Sequence, residues 1–154
     1  MIVNLDLKNE IYQFAISKVG AQLEELLSKL KSLEEDKNSE TKSVVGDKYE
    51  TSRAMLQKEV DQINERVGIL QNHRTQLMHI QRNEKNHQHV GAGSLVGTDL
   101  GIFYISIPLG KLEIGDVKVF CMSIEAPLAK SLRGKSVEGS IQFNNRTYTI
   151  TSLC

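Results

Sequence analysis

The chain has 154 residues, 40% of them hydrophobic, enough for a core in one ordinary domain or two small ones, which excludes disorder as the default state. Nineteen basic and nineteen acidic side chains cancel to a formal net charge of zero. Bulk charge therefore supplies no general attraction to nucleic acid or to a membrane surface.

Four Tyr, four Phe and no Trp leave few large core anchors, so part of the molecule is expected to pack with aliphatic residues alone. Cys121 and Cys154 form neither a CxxC motif nor a dense framework, which predicts free thiols in a reducing compartment. The first residues lack a basic stretch followed by an apolar run, and no segment approaches the roughly 18 consecutive apolar residues of a membrane span. A cytoplasmic protein with no membrane partner is expected.

Composition changes near residues 83–93. Before position 90 the chain is rich in Leu, Glu, Lys and Gln and has no proline, so long helices are open to it. Tyr12, Ile16, Val19, Leu23, Leu26, Leu30 and Leu33 recur alternately four and three apart, a heptad seam. Leu56, Val60, Ile63, Val67 and Leu70 repeat the pattern, which Arg74 interrupts before Leu77. Residues 37–46 between them have no sustained period, and Asn38, Ser39 and Gly46 favour turns. The pattern predicts an antiparallel coiled-coil finger over 1–85, its tip at about 38–50. At about 1.5 Å per residue, arms of about 28 to 35 residues reach roughly 42 to 52 Å. The heptads alone equally fit a dimerisation or spacer device.

After position 90 lie both prolines, most of the glycines and five of the eight aromatics. Residues 101–107, 117–122, 140–143 and 146–153 read as strands. Asn144-Asn145 suits a tight hairpin, and 126–132 suits a short helix with Pro127 in its first turn and Gly134 beyond its end. The expectation is an α+β chain: a coiled-coil finger followed, over 86–154, by a small β-domain with one helix.

Chemistry-bearing residues are few. His73, His79, His87 and His89 lack companion ligands at a standard spacing and read as solvated. Arg66, Arg74 and Arg82 on the second helix form a modest basic patch that could face RNA, an acidic protein surface or solvent. At the tip, Asp47 and Glu50 stand three residues apart on a helical turn, near enough to approach one Mg²⁺ whose remaining ligands come from elsewhere. The same spacing is that of a capping box.

Two motifs add to this. Gly46-Asp47-Lys48-Tyr49-Glu50-Thr51 is similar to the Gly-Asp-x-x-Glu-Asn tip of Gre-type transcript-cleavage factors. Ala126-Pro127-Leu128-Ala129-Lys130-Ser131-Leu132-Arg133-Gly134-Lys135 is similar to that family's Ser-Pro-Ile/Leu-Ala/Gly-x-Ala/Ser-Leu-x-Gly-Lys stretch. With the order of the two regions, the resemblance covers most of the chain.

The resemblance implies an FKBP-like β-domain and a monomeric accessory factor of transcription elongation rather than an enzyme. Pro127, Leu128, Ala129, Leu132, Gly134 and Lys135 would dock on bacterial RNA polymerase at its secondary channel. Asp47 and Glu50 would help hold the second Mg²⁺ shared with the polymerase, which then cleaves the 3′ end of a backtracked nascent RNA. Thr51 stands where the family has Asn, Lys48 where it usually has Leu, and Arg53-Ala54 where an acidic-aromatic pair is usual. These departures open a second expectation, a channel regulator that does not promote cleavage. Other classes remain: an FKBP-like peptide-binding or prolyl isomerase module, which needs an aromatic-lined pocket, and a structural coiled-coil protein.

Overall fold

The computed structural model describes residues 2–43 and 47–154, with the side chains of Lys37 and of residues 39–43 and 47–49 outside the description. Helices α1 (Leu5–Ser43) and α2 (Asp47–Arg82) precede strands β1 (Leu95–Thr98), β2 (Ile102–Ser106), β3 (Gly110–Ile114) and β4 (Val117–Ser123). Helix α3 (Pro127–Leu132) and strands β5 (Ser140–Phe143) and β6 (Arg146–Leu153) complete an α+β fold. No helix among the described residues is long and apolar enough to cross a membrane. The chain forms two compact units, Ser17–Arg74 and, discontinuously, Met1–Ile16 with Thr75–Cys154.

In the first unit the heptads act as an apolar seam. Val19 and Leu23 of α1 and Val60, Ile63, Val67 and Leu70 of α2 are buried. Leu26, Leu30, Leu33 and Leu56 are only half-buried, so the seam thins toward the turn. Gln22, Glu25 and Leu26 line one groove with Arg66 and Leu70, as antiparallel arms require. Arg74 holds a seam position yet is exposed. Its neighbour His73 is half-buried instead, and the ring Nδ1 has neither solvent nor a hydrogen-bond partner.

Helix α1 persists to Ser43, past the turn residues Asn38 and Ser39. Neither carries more than a small helix penalty, about 0.5 kcal/mol each, and no Gly or Pro intervenes before Gly46. Residues 44–46 of the expected tip lie outside the described residues.

The second unit is built on a six-stranded sheet of order β3-β4-β2-β1-β6-β5. Only β2 and β4 pair in parallel, because β3 doubles back antiparallel on β4 at the outer edge. One face carries Val96, Phe103, Ile105 and Ile150, which pack with Val90 and with Ala129 and Leu132 of α3. On the other, Cys121, Tyr104 and Leu95 stand in register across β4, β2 and β1. Cys154 extends that row through paired backbone bonds to Leu95 of 2.8 and 3.0 Å. Ile11, Tyr12 and Ala15 of α1 and Leu77 of α2 are buried in the same unit. Gly93 sits at φ +89°, and a Cβ there would come 3.1 Å from Ile80, so both the backbone and the helix packing exclude a larger residue.

Strands β2, β4, β5 and β6 and helix α3 lie where sequence patterning puts them. Asn144 and Asn145 adopt positive φ, 49° and 60°, as a type I′ hairpin turn requires. Strands β1 and β3 escape the pattern for different reasons. β1 is four residues long, contains Gly97 and is buried on both sides, so it shows no alternation. β3 does alternate, but Leu112 is its one buried residue, between exposed Lys111 and Glu113, which resembles a loop. Lys111 and Glu113 pair at 3.0 Å along this edge strand, where charges discourage further strand addition.

Burial, and then the charge of Arg66, hold the His73 imidazole below its ordinary pKa of 6.5. The folded state thus prefers the neutral ring, and unfolded chains take up more protons as pH falls below about 6.5. The stability that His73 contributes is complete above that pH and is lost as it falls. Urea midpoints read by helical circular dichroism between pH 7.5 and 5.5 should decline, and His73→Leu should flatten the decline. By removing a buried, unpartnered nitrogen, the same substitution should also add about 1 kcal/mol at pH 7.5.

Candidate functional site

Three regions carry the residues that bear on function. The first is the start of α2. The side chain of Asp47 lies outside the described residues, while Glu50, one turn along, is exposed. Positions three apart share one face of a helix. Among the described residues no three His, Cys, Asp or Glu side chains come together. Mg²⁺ wants an octahedral oxygen shell, so two carboxylates fit it only as a partial set, to be completed by water, phosphate or carboxylates from a partner.

The second region is α3. Pro127 occupies its first turn, after Ala126 in extended conformation, and Ser131 Oγ donates a 3.2 Å bond to the Pro127 carbonyl. Gly134, at φ +78°, ends it. The Gly134 N–H then donates to the Val90 carbonyl at 2.9 Å and the Val90 N–H to the Lys135 carbonyl at 2.8 Å, which ties the helix end to the strap before β1. Ala129 and Leu132 are fully buried and hold α3 on the sheet. Pro127, Gly134 and Lys135 are exposed and Leu128 is half-buried, so these four supply the reachable part of the predicted docking set.

Arg66, Arg74 and Arg82 are all exposed. None forms an ion pair with another described residue. Arg66 and Arg74 belong to the hairpin unit and Arg82 to the last turn of α2.

The third region lies outside the motifs. Lys8, near the start of α1, is 1% exposed. Its Nζ donates to Glu84 Oε1 at 2.6 Å and to the Lys85 carbonyl at 3.4 Å. Glu84 keeps about a third of its side chain in solvent and also accepts the Lys85 N–H at 3.1 Å. Asn4 Oδ1 caps the start of α1 by accepting the Leu7 N–H at 2.8 Å, and the Val3 N–H donates to Ser152 Oγ at 2.9 Å. Around this pair, burial first and the charges of Lys8 and Lys85 next depress the His87 imidazole. Burial raises the Tyr104 phenol and the Cys154 thiol. The seam gave no signal for it: its alternating spacing carried back three residues from Tyr12 falls on Asn9, one position past Lys8.

No protein-family model matches the chain, and no curated protein matches it.

The Lys8–Glu84 pair is asymmetric, and so are its expected defects. Glu84→Ala strands a buried ammonium and should cost about 3–5 kcal/mol. Lys8→Met keeps the volume and leaves a carboxylate that water can reach, so it should cost about 1 kcal/mol or less. In chemical denaturation the double variant should resemble Lys8→Met. Equal losses in the two single variants would show that the pair is not the buried clamp described.

Proposed function

We propose that this protein is an accessory factor of bacterial RNA polymerase that enters the secondary channel and stimulates cleavage of backtracked RNA. The observation that carries the reading is the pairing of two uninterrupted helices, of 39 and 36 residues, whose second member opens on Asp47 and bears an exposed Glu50 one turn later. Helices of that length run roughly 54 to 58 Å at about 1.5 Å per residue. They bury one narrow seam, which suits reach more than core building.

In this reading the cleavage site belongs to the polymerase. Asp47 and Glu50 contribute oxygens to a second Mg²⁺, held mainly by the polymerase and the RNA phosphate. When bound, the ion lowers the pKa of its water and stabilises the in-line displacement. The factor's own residues deliver two negative charges and keep them fixed on one helical turn. Docking falls to the reachable surface of α3: Pro127, Leu128, Gly134 and Lys135. Arg66, Arg74 and Arg82 offer phosphate contacts along the way. The zero net charge accords with delivery by shape and docking, since nonspecific phosphate binding needs an excess of cations.

The test is RNA cleavage by a stalled, backtracked polymerase complex in Mg²⁺. The wild-type protein should accelerate cleavage, and Glu50→Ala and Asp47→Asn should each remove at least about tenfold of the acceleration while polymerase binding persists. Asp47→Asn is the sharper variant, because Asn caps a helix as well as Asp does but carries no charge. Full activity in that variant would make Asp47 a cap only. Binding without stimulation by the wild type would favour a non-cleaving channel regulator, and absence of binding would overturn the proposal.

A further inference from the structure

Phe120 of β4 is not a core residue. It is 42% exposed, although its ring stacks on buried Phe103 with centroids 6.0 Å apart and planes at 29°. Phe103 in turn meets Tyr148 edge-on, also at 6.0 Å. These three rings, with Met122 and with Leu128 of α3, line a groove of about 300 Å³ whose single charged lining residue is Arg146. Arg146 is exposed and forms no ion pair among the described residues. Leu100, itself 48% exposed, and Phe120 are walls of a second groove of about 680 Å³, which continues past Val117 and carries Asp116 and Lys118 at its rim.

We propose that these two adjoining grooves, which share Leu100 and Phe120 as lining, receive a segment of a partner polypeptide that presents aliphatic or aromatic side chains with a carboxylate beside them. Three features select that occupant. Exposed Phe120 and Leu100 adjoin half-buried Met122, Leu128 and Tyr148 in one apolar surface, which marks an interaction site rather than ordinary surface scatter. The two grooves are open and share Leu100 and Phe120 as lining, which fits successive side chains of a chain better than an enclosed small molecule. Arg146, the one charge in the aromatic compartment, presents a planar donor fork suited to a carboxylate next to an apolar group. The apolar side chain fills the space over the rings while the acid pairs with Arg146, and Asp116 with Lys118 leaves the far compartment nearly neutral. This assignment does not depend on the polymerase reading: it concerns the recognition chemistry of the β-sheet unit whatever carries the segment.

The probe is a phage-displayed random heptapeptide library selected on the full-length chain. Selected peptides should combine acidic with aliphatic or aromatic residues, and synthetic versions should lose at least about tenfold in affinity against Phe120→Ser. Against Arg146→Glu they should lose a similar factor, and selection on that variant should shift to basic peptides. In amide chemical-shift mapping the perturbed residues should centre on Phe120, Met122, Leu128, Arg146 and Tyr148. Arg146 lies on the surface, so its variant tests the proposal even if Phe120→Ser proves poorly folded. Selection that yields no peptide binding above the Phe120→Ser background overturns the proposal. So does enrichment without an acidic bias, or binding that Arg146→Glu leaves unchanged.

Discussion

A buried ammonium is the most demanding object in this molecule. Lys8 keeps 1% of its surface in water, and its one carboxylate partner among the described residues, Glu84, belongs to the strap that follows α2. Removing a cation from water is tolerable only where an anion is fixed beside it. The start of α1 and the strap after α2 must therefore come together wherever the sheet unit forms. The Val3 N–H on Ser152 Oγ holds the same end of the chain against β6. A hydrophobic residue at position 8 could pack as well. The charge adds a directional requirement that apolar contacts lack.

Division of labour follows from surface chemistry. The hairpin unit buries a single stripe, while the sheet unit is covered on the α3 face by a compact cluster around Ile105 and Leu132. The narrow stripe leaves most helical positions to solvent, Glu50, Arg66 and Arg74 among them. In the sheet unit most positions are spoken for by packing. Its reachable chemistry collects where packing is incomplete, beside α3 and around Phe120.

Much of this architecture was legible in the sequence because its periods are long and uniform. Fourteen seam positions at regular spacing declare a helical pair, and Asn144-Asn145 declares a hairpin, since few residues accept positive φ twice in succession. What the sequence hid was hidden for physical reasons. β1 is buried on both sides, so the alternation that reveals a strand is absent. Lys8 and Phe120 each contradict the ordinary habit of their residue type, one a charge inside and the other a ring outside. Pattern reading assigns residues by habit and errs where tertiary context overrides it. Of the α3 stretch, sequence could not tell Ala129 and Leu132, which hold the helix, from Pro127 and Lys135, which face outward.

The sheet unit is interrupted in sequence: its first sixteen residues and its last eighty are separated by the whole hairpin. Bringing such distant pieces together by random search carries a loop-closure penalty of roughly 3–4 kcal/mol for a connection of this length. Zipping of the antiparallel seam replaces that search with a series of short closures, each bringing the next pair of positions within reach. Pairing of the layers around Val19, Leu23, Val67 and Leu70, all buried, would draw residues 16 and 75 toward each other along the two arms. The hairpin would then be a device that allows a domain split by a long insertion to close as though it were continuous.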